Sequence, residues 1–421
     1  MVEKVVYASA AGIDTLWVMI AAFMVFIMQA GFGMLEAGLI RTKNTCNVLM
    51  NNFLDFCMAS MGFFIFGYAI MFGAGNGFMG LKGWFLVGAD NHAGNLPFYA
   101  AWFFHTVFCG AAATIVAGGV AERMKFKAYL IYSFLISAAV YPFVGHWIWG
   151  GGWLSNLNFA DFAGSTVVHA VGGTAALIGT IILGPRIGKF NKDGSANAIE
   201  GHSMALASLG TLILWFAWFG FNPGSTLSVG DGSQIAHVAV TTNLSAVAGA
   251  LTAMFFAWKK FGKPDLTMTM NGALAGLVAI TAPCAFVYPA EALIIGAIGG
   301  ILVVLATVFL DKVGVDDPVG AVPVHLANGI WGTLAVGIFG HKALGLARDG
   351  LFAGGGFTQL KIQALGVFTV VAFVAVVMIV IFKLIDKFVG LRVTREEELK
   401  GLDVTQHGME AYSGFQVFTT K

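Results

Sequence analysis

The sequence predicts an all-α integral membrane protein with eleven transmembrane helices, built as two inverted five-helix repeats plus an eleventh helix. The first observation is composition: 58% of the 421 residues are hydrophobic and only 11% are charged. A soluble domain carries about 45–50% apolar and about 25% charged residues, so these charges are too few to cover a water-facing surface. The other two observations are a series of long apolar runs and a motif that occurs twice.

The apolar runs give the number of helices. A hydrocarbon core of about 30 Å requires roughly 20 apolar residues, and runs of about this length occur eleven times. The eighth and ninth are the least distinct, because only residues 283–289 separate them. The runs lie near 15–38, 47–73, 98–121, 128–149, 165–184, 203–221, 234–257, 268–285, 290–310, 318–340 and 362–386.

Basic residues predict the orientation, because loops on the cytoplasmic side are enriched in Lys and Arg. With the N-terminus outside, 18 of the 23 basic residues fall on the inner side and five on the outer side. The sequence therefore predicts an N-out, C-in protein. The predicted membrane domain covers 1–389, and 390–421, which is polar, is expected to be a solvated cytoplasmic tail.

The repeated motif has the pattern D-x-x-G-x-x-x-V-H-x-x-x-G, at residues 161–173 and again at 317–329. It lies at the start of the fifth and tenth spans, which run in opposite directions, as an inverted repeat requires. The repeats are placed at about 15–184 and 203–340, with 362–386 left over. This arrangement predicts that His169 and His325 face each other near the middle of the membrane.

Each motif residue type has an expected role. A lone histidine in a span is usually a helix–helix hydrogen-bonding residue, but repetition in register favours a shared functional site for His169 and His325. Asp161 and Asp317 stand where an N-cap accepts hydrogen bonds from free backbone N–H groups, although Asp161 is also suited to attracting cations. The motif glycines, at 164, 173, 320 and 329, are expected to let helices approach closely.

Other polar residues are fewer. Glu36 lies near the inner end of the first span, where its carboxylate is expected to reach water, and Asp55 in the second span has no assigned role. The four cysteines have neither metal-site spacing nor a disulfide-like placement, so they are expected to be buried free thiols. A net charge of +1 argues against nucleic acid as a partner.

Several segments, in order along nearly the whole chain, resemble the ammonium transporter (Amt) family of the Amt/Mep/Rh superfamily. The first motif copy carries the resemblance together with residues 184–186. The other matching segments are Gly-Met-Leu-Glu-Ala-Gly-Leu-Ile-Arg-Thr-Lys-Asn at 33–44, Ala-Glu-Arg at 121–123, Trp-Gly-Gly-Gly at 149–152, Trp-Phe-Gly-Phe-Asn-Pro-Gly-Ser at 218–225, Asp-Asp-Pro-Val-Gly at 316–320 and Gly-Leu-Asp at 401–403.

The resemblance implies transport of ammonium and methylammonium by a homotrimer with one pore per subunit, in the cell (inner) membrane, without enzymatic activity or a cofactor. Trp149, Ser225 and Phe108 would form an outer recruitment site, and Phe108 and Phe221 would stack as a gate above His169 and His325. Phe104, Trp218 and Asp161 would support these residues.

Physical chemistry is consistent with these implied roles. Aromatic faces attract a cation by about 0.5–2 kcal/mol each, which offsets part of the lost hydration, and a serine hydroxyl can accept a hydrogen bond from it. An apolar pore then favours the neutral form of a titratable cation. Ammonium can release a proton there, whereas potassium and sodium cannot. Whether that proton also crosses is left open by the sequence.

Two features depart from the family pattern. His105 stands beside the outer aromatic residues where a neutral polar side chain is expected, and it either adds a titrating group or only packs. Gly320 occupies a position at which many relatives carry an aspartate. These departures bear on pH dependence and recruitment affinity.

Three alternatives remain beside the transporter hypothesis. A Rhesus-type NH3 gas channel would keep the paired histidines but lack the tryptophan recruitment site, so Trp149 and Ser225 count against it. A membrane redox enzyme would use His169 and His325 as haem ligands, although spans 5 and 10 carry only one such histidine each. An ammonium sensor would need an output domain that the tail does not contain.

The tail also suggests a partner. Its Gly-Leu-Asp segment at 401–403 and the preceding acidic run resemble tails on which cytoplasmic PII-type signalling proteins dock. A solvated tail with no partner is the alternative.

Overall fold

A computed structural model describes residues 2–89 and 96–414 of the chain. Ten helical segments in this part are long and apolar enough to cross a membrane, which confirms the all-α membrane architecture. The eighth predicted span corresponds to a shorter apolar helix of 16 residues, Leu266–Thr281. The count of eleven crossings and the N-out orientation therefore remain predictions that the helices accommodate.

The described residues of the first predicted repeat, 2–89 and 96–183, form nine α-helices, because several spans are interrupted. Turns of π-helix at Phe63–Gly67 and Ile136–Val140 interrupt the second and fourth spans. The helices are α1 (Val2–Phe26), α2 (Met28–Leu39), α3 (Thr45–Gly62), α4 (Tyr68–Phe72), α5 (Phe98–Val120), α6 (Phe126–Leu135), α7 (Tyr141–Ile148), α8 (Trp153–Asn156) and α9 (Val171–Leu183).

The second predicted repeat and the C-terminal part, described as far as residue 414, form seven α-helices. α11, α12 and α13 pack together, and α15 packs on α9 and α14. The helices are α10 (Met204–Phe221), α11 (Ser233–Phe261), α12 (Leu266–Thr281), α13 (Pro289–Lys312), α14 (Asn328–Phe339), α15 (Thr358–Phe388) and α16 (Arg395–Lys400).

The two motif copies fold alike and cross each other. Each contains a π-helical turn, Ser165–Ala170 before α9 and Val322–Ala327 before α14. A Cβ on Gly329 would lie 2.6 Å from the carbonyl oxygen of Ser165, and one on Gly173 would press on the backbone of Leu326. These glycines therefore permit the close approach that the sequence predicts.

The other pair of motif glycines has a role in addition to the predicted one. Gly164 has a φ of +117° and Gly320 a φ of +83°, a region of backbone conformation that a residue with a Cβ rarely adopts. Each glycine makes the turn between the motif aspartate and the following helix. Backbone conformation therefore favours glycine at both positions. The predicted close approach also holds at Gly320, since a Cβ there would lie 2.6 Å from the side-chain nitrogen of Asn271 on α12.

Part of the C-terminal tail packs on the rest of the chain instead of being solvated throughout. A carboxylate oxygen of Asp403 accepts a hydrogen bond of 2.8 Å from the backbone N–H of Asn47, and Lys43 donates to the carbonyl oxygens of Glu398 and Leu399. The side chain of Leu402 is fully buried. Residues 415–421 lie outside the described part of the chain.

The four cysteines are free thiols, as predicted. Cys109 and Cys284 are buried, whereas Cys46 and Cys57 are only half-buried. The expectation of full burial therefore holds for two of the four.

Candidate functional site

The two motif histidines meet inside the helix bundle. Nδ1 of His169 lies 3.1 Å from Nδ1 of His325, a hydrogen-bond distance, and both side chains are at most 5% exposed. One nitrogen must donate and the other accept. The π-helical turns that carry the histidines provide this placement, and such turns are frequent at functional sites.

Two aromatic rings stack on His169, one member of the pair. The ring of His169 stacks on Trp218 at 5.2 Å and on Phe221 at 5.5 Å between centroids. The indole N–H of Trp218 donates to the hydroxyl of Thr281 at 3.0 Å, which fixes the ring plane. Trp218 thus supports the imidazole of His169 directly.

Phe108 and Phe221 form a closed stack above the histidines. Their ring centroids are 4.0 Å apart with an interplanar angle of 26°, and both side chains are at most 1% exposed. Rings at this separation are in van der Waals contact, so a hydrated ion cannot pass between them without ring movement.

On the other side of this stack lies a cavity of about 300 Å³, the outer cavity, named from the predicted orientation. The ring of Trp149 lies 6.3 Å from that of Phe108 and 6.2 Å from that of His105. The cavity brings together all the residues expected at the recruitment site. Its lining consists of Phe104, His105, Phe108, Ile148, Trp149, Phe162, Ser225 and Leu227.

Hydrogen bonds orient Trp149 and Ser225 in the outer cavity. The indole N–H of Trp149 donates to the carbonyl oxygen of Asp161 at 2.8 Å, and the hydroxyl of Ser225 donates to the carbonyl oxygen of Phe221 at 2.8 Å. With its proton engaged, the Ser225 oxygen keeps lone pairs that can accept from a ligand. Trp149 can offer its ring face.

Asp161 acts as a cap, as the motif predicts. Its carboxylate accepts hydrogen bonds of 2.8–3.0 Å from four successive backbone N–H groups, those of residues 164–167. These are the free donors at the start of a helix. The structure therefore gives Asp161 a positioning role beneath Trp149.

A second and much smaller cavity, the inner cavity, lies on the far side of the histidine pair. Its volume is about 20 Å³, and its ionisable lining residues are His325 and Glu36. Glu36 is only 2% exposed, so the expectation that its carboxylate reaches water was wrong. The lining consists of Phe32, Leu35, Glu36, Ile115, Asn271, Leu274, Val319, Gly320, Ala321, Val324 and His325.

A buried ionic network holds the loops below the inner cavity. Arg186 pairs with Glu122 at 2.8 Å and with Asp316 at 2.9 Å, and Glu122 also pairs with Arg41. Burial alone would raise the pKa of Asp316, but hydrogen bonds and charge from Arg186 outweigh it and lower that pKa to about 2. Charge from Arg186 and Arg41 likewise outweighs burial and lowers the pKa of Glu122. Both acids are therefore ionised at neutral pH.

Sequence reasoning missed several residues of these cavities. Phe162 and Leu227 line the outer cavity, and Phe32 lies 6.1 Å from His325 between ring centroids. These positions carry ordinary apolar residues in a chain with 38 phenylalanines, so no local signal separates them from packing residues. The acids and arginines of the ionic network occur within the segments that match the family. Their place in those segments was the signal that could have identified them.

Comparison with known proteins shows the family of this chain. The Ammonium Transporter Family matches residues 16–412. This chain belongs to that family. It is 46% identical over 419 residues to ammonium transporter Amt2 of Archaeoglobus fulgidus, covering 96% of this chain and 89% of the relative. It is 36% identical over 411 residues to ammonium transporter 3 of Dictyostelium discoideum, covering 95% and 94%.

Solved structures of the family share the fold of this chain. A structure described as a sensor Amt protein superimposes with a TM-score of 0.89 at 40% identity, covering 95% of this chain and 99% of that one. Mep2 of Candida albicans gives a TM-score of 0.84 at 28% identity, covering 91% and 87%. The family member is thus a multi-pass membrane protein.

Proposed function

We propose that this protein transports ammonium and methylammonium across the cell membrane through a pore in each subunit. The pore runs from the outer cavity, past the stacked rings of Phe108 and Phe221, along the pair formed by His169 and His325, to the inner cavity. The observation that carries the proposal is this order of groups: an aromatic cavity, a ring stack, and a hydrogen-bonded histidine pair buried between two cavities.

Recruitment takes place in the outer cavity. Ammonium exchanges water for the ring faces of Trp149 and Phe108 and for the oxygen of Ser225. Cation–π attraction of about 0.5–2 kcal/mol per ring compensates part of the dehydration. Phe104 extends the aromatic wall through its contact with Phe108, at 4.6 Å between centroids.

Selectivity arises at the ring stack. Beyond Phe221 the lining of the pore is apolar and buried. The transfer of an ion that stays charged is therefore opposed by its full desolvation free energy. Ammonium avoids this cost by releasing a proton and continuing as NH3. The histidine pair supplies one donor and one acceptor to NH3, which itself does both, and it offers a separate route for the proton.

Purified protein reconstituted in liposomes on a solid-supported membrane tests this function. Ammonium and methylammonium are expected to evoke currents, and potassium and sodium are not. His169→Ala and His325→Ala are each expected to lower the current at least about tenfold, with Glu200→Gln on an exposed loop as control. Absence of any ammonium-evoked signal in the wild type, by current or by uptake, contradicts transport and favours the sensor alternative.

The assembly and its partners belong to the same proposal. We infer a homotrimer in the lipid bilayer, with a PII-type protein docking on the inner face that carries the packed tail. Co-purification at low and high 2-oxoglutarate tests the docking, and loss of complex at one of the two concentrations is expected. A tail that captures no PII-type protein under either condition contradicts it.

A further inference from the structure

Glu36 and Asp55 are two carboxyl groups inside the helix bundle that the pore described above does not use. Their side chains are at most 2% exposed. Neither carboxylate forms an ion pair with a basic side chain in residues 10–89 and 96–414. A buried carboxylate without a cation is very costly, so such groups favour the neutral, proton-bearing form.

Hydrogen bonds hold each of the two carboxyl groups in place. Oε2 of Glu36 accepts a hydrogen bond of 2.9 Å from the side-chain amide of Asn52, which lies one helical turn before Asp55. Asp55 accepts from the hydroxyls of Tyr129 and Ser133, the latter at 2.6 Å. The acidic groups near Glu36 include Asp55 and Asp317. Like charges in one site discourage simultaneous ionisation.

The position of Glu36 relates it to the pore. Glu36 and His325 are the two ionisable residues that line the inner cavity, and the cavity of about 20 Å³ has room for about one water-sized molecule. NH3 that passes the histidine pair therefore enters a space where bulk water is scarce. The ionisable groups that could supply a proton to it there are His325 and Glu36.

We propose that Glu36 is the proton carrier at the inner end of the pore, with Asn52 as a positioning residue. The inference rests on the proposed function. The O–H bond of protonated Glu36 breaks, the nitrogen lone pair of NH3 takes the proton, and NH4+ and the Glu36 carboxylate result. The carboxylate regains a proton from His325 through the shared cavity, and His325 is resupplied by His169 with the proton that ammonium released at the outer side.

Currents in liposomes on a solid-supported membrane test the assignment. Glu36→Gln keeps an acceptor for Asn52 but cannot carry a proton, so its maximal ammonium current is expected to fall about tenfold or more. The half-saturating ammonium concentration should stay near the wild-type value, because the outer cavity is unchanged. Glu36→Asp retains a carboxyl and should restore part of the current, while Glu200→Gln should match the wild type.

The outcomes separate the two proposals. A wild-type protein without ammonium current overturns transport itself, whereas an active wild type with an equally active Glu36→Gln variant overturns only the role of Glu36. If Glu36→Gln does not fold into a monodisperse protein, infrared difference spectra of the wild type test the role of Glu36 instead. Addition of ammonium should then change the carbonyl band of a protonated carboxyl, and an unchanged band contradicts the proposal.

Discussion

The two copies of the repeated motif have the same backbone and different surroundings. Both start with an aspartate cap, turn at a glycine with positive φ, and place a histidine on a π-helical turn. His169 is stacked on Trp218 and Phe221 beneath the outer cavity. His325 instead lines the inner cavity with Glu36. The symmetric part of the motif brings the histidines together, and the asymmetric part gives each imidazole its own environment.

The residues around the caps differ in the same way. In the first copy Ala160 precedes the cap, and the loop is held by Trp149. In the second copy Asp316 precedes the cap and binds Arg186, and Asn271 donates to the carbonyl oxygen of Val319 at 3.3 Å. The start of the first motif copy, on the outer side, is thus held by a hydrogen bond from an aromatic residue. The start of the second copy, on the inner side, is held by an ion pair. This difference leads to four predictions.

Substitution of Gly173 or Gly329, the glycines at which the two motif copies cross, should have the largest effect on stability. The effect should be the same in both copies. Gly173→Ala and Gly329→Ala place a methyl group against backbone atoms of the other copy, and overpacking of this kind costs about 1–3 kcal/mol. Both variants should melt well below the wild type in detergent, and both should lose ammonium current. Gly12→Ala is the control, since its Cβ would meet nothing within 4 Å. A large effect in only one copy contradicts the symmetric crossing.

Asp316→Asn should destabilise the second copy in a pH-dependent way. The folded pKa of about 2 is below the usual value of 3.8, so this carboxylate stabilises the fold above about pH 4, and the stabilisation is lost as pH falls through about 2. The variant should be less stable by roughly 2 kcal/mol at neutral pH. Melting curves of both proteins should converge as the pH approaches 2.

A control separates burial from charge in that experiment. Asp311 pairs with Lys189 at 2.9 Å, but its side chain is 41% exposed, so Asp311→Asn should cost less than about 1 kcal/mol. Equal effects of the two substitutions would falsify the view that the buried pair of Asp316 and Arg186 stabilises the start of the second motif copy.

The two caps should differ by one hydrogen bond. Asp161 accepts from four backbone N–H groups and Asp317 from three. The free energy of unfolding of Asp161→Ala is therefore expected to be lower than that of Asp317→Ala by about 1 kcal/mol. Asp161→Ala should accordingly melt at the lower temperature. The corresponding Asn variants keep a capping oxygen and should lie closer to the wild type. The reverse order of the Ala variants counts against capping as the main role.

The smallest effect is expected where single hydrogen bonds hold the loops. Trp149→Phe removes a bond of 2.8 Å and Asn271→Ala one of 3.3 Å, so each should cost about 1 kcal/mol or less. Trp149→Phe keeps an aromatic face, and its ammonium current should saturate at a concentration near that of the wild type. Trp149→Ala should require more ammonium. Equal half-saturation in both variants contradicts a recruiting role for the ring.

Much of the site could be predicted because it consists of rare residues in a repeated frame. His169 and His325 stand out as register-matched histidines in apolar spans, and the capping aspartates follow from their distance to those spans. Phe32, Phe162 and Leu227 could not be predicted, since an apolar side chain that lines a cavity has the same local pattern as one that packs. Glu36 was placed in water because its position in the span is known from sequence, but its neighbours are not.

By itself, the sequence determined the membrane class, the approximate helices, the repeated motif and the family, because hydrophobicity and residue order are local properties. Only the tertiary structure decided which partners each group has. It placed Gly164 and Gly320 in turns with positive φ, buried Glu36 beside His325, and packed part of the tail against residues 43–47. These outcomes depend on contacts between segments far apart in the chain, which hydropathy and spacing do not specify.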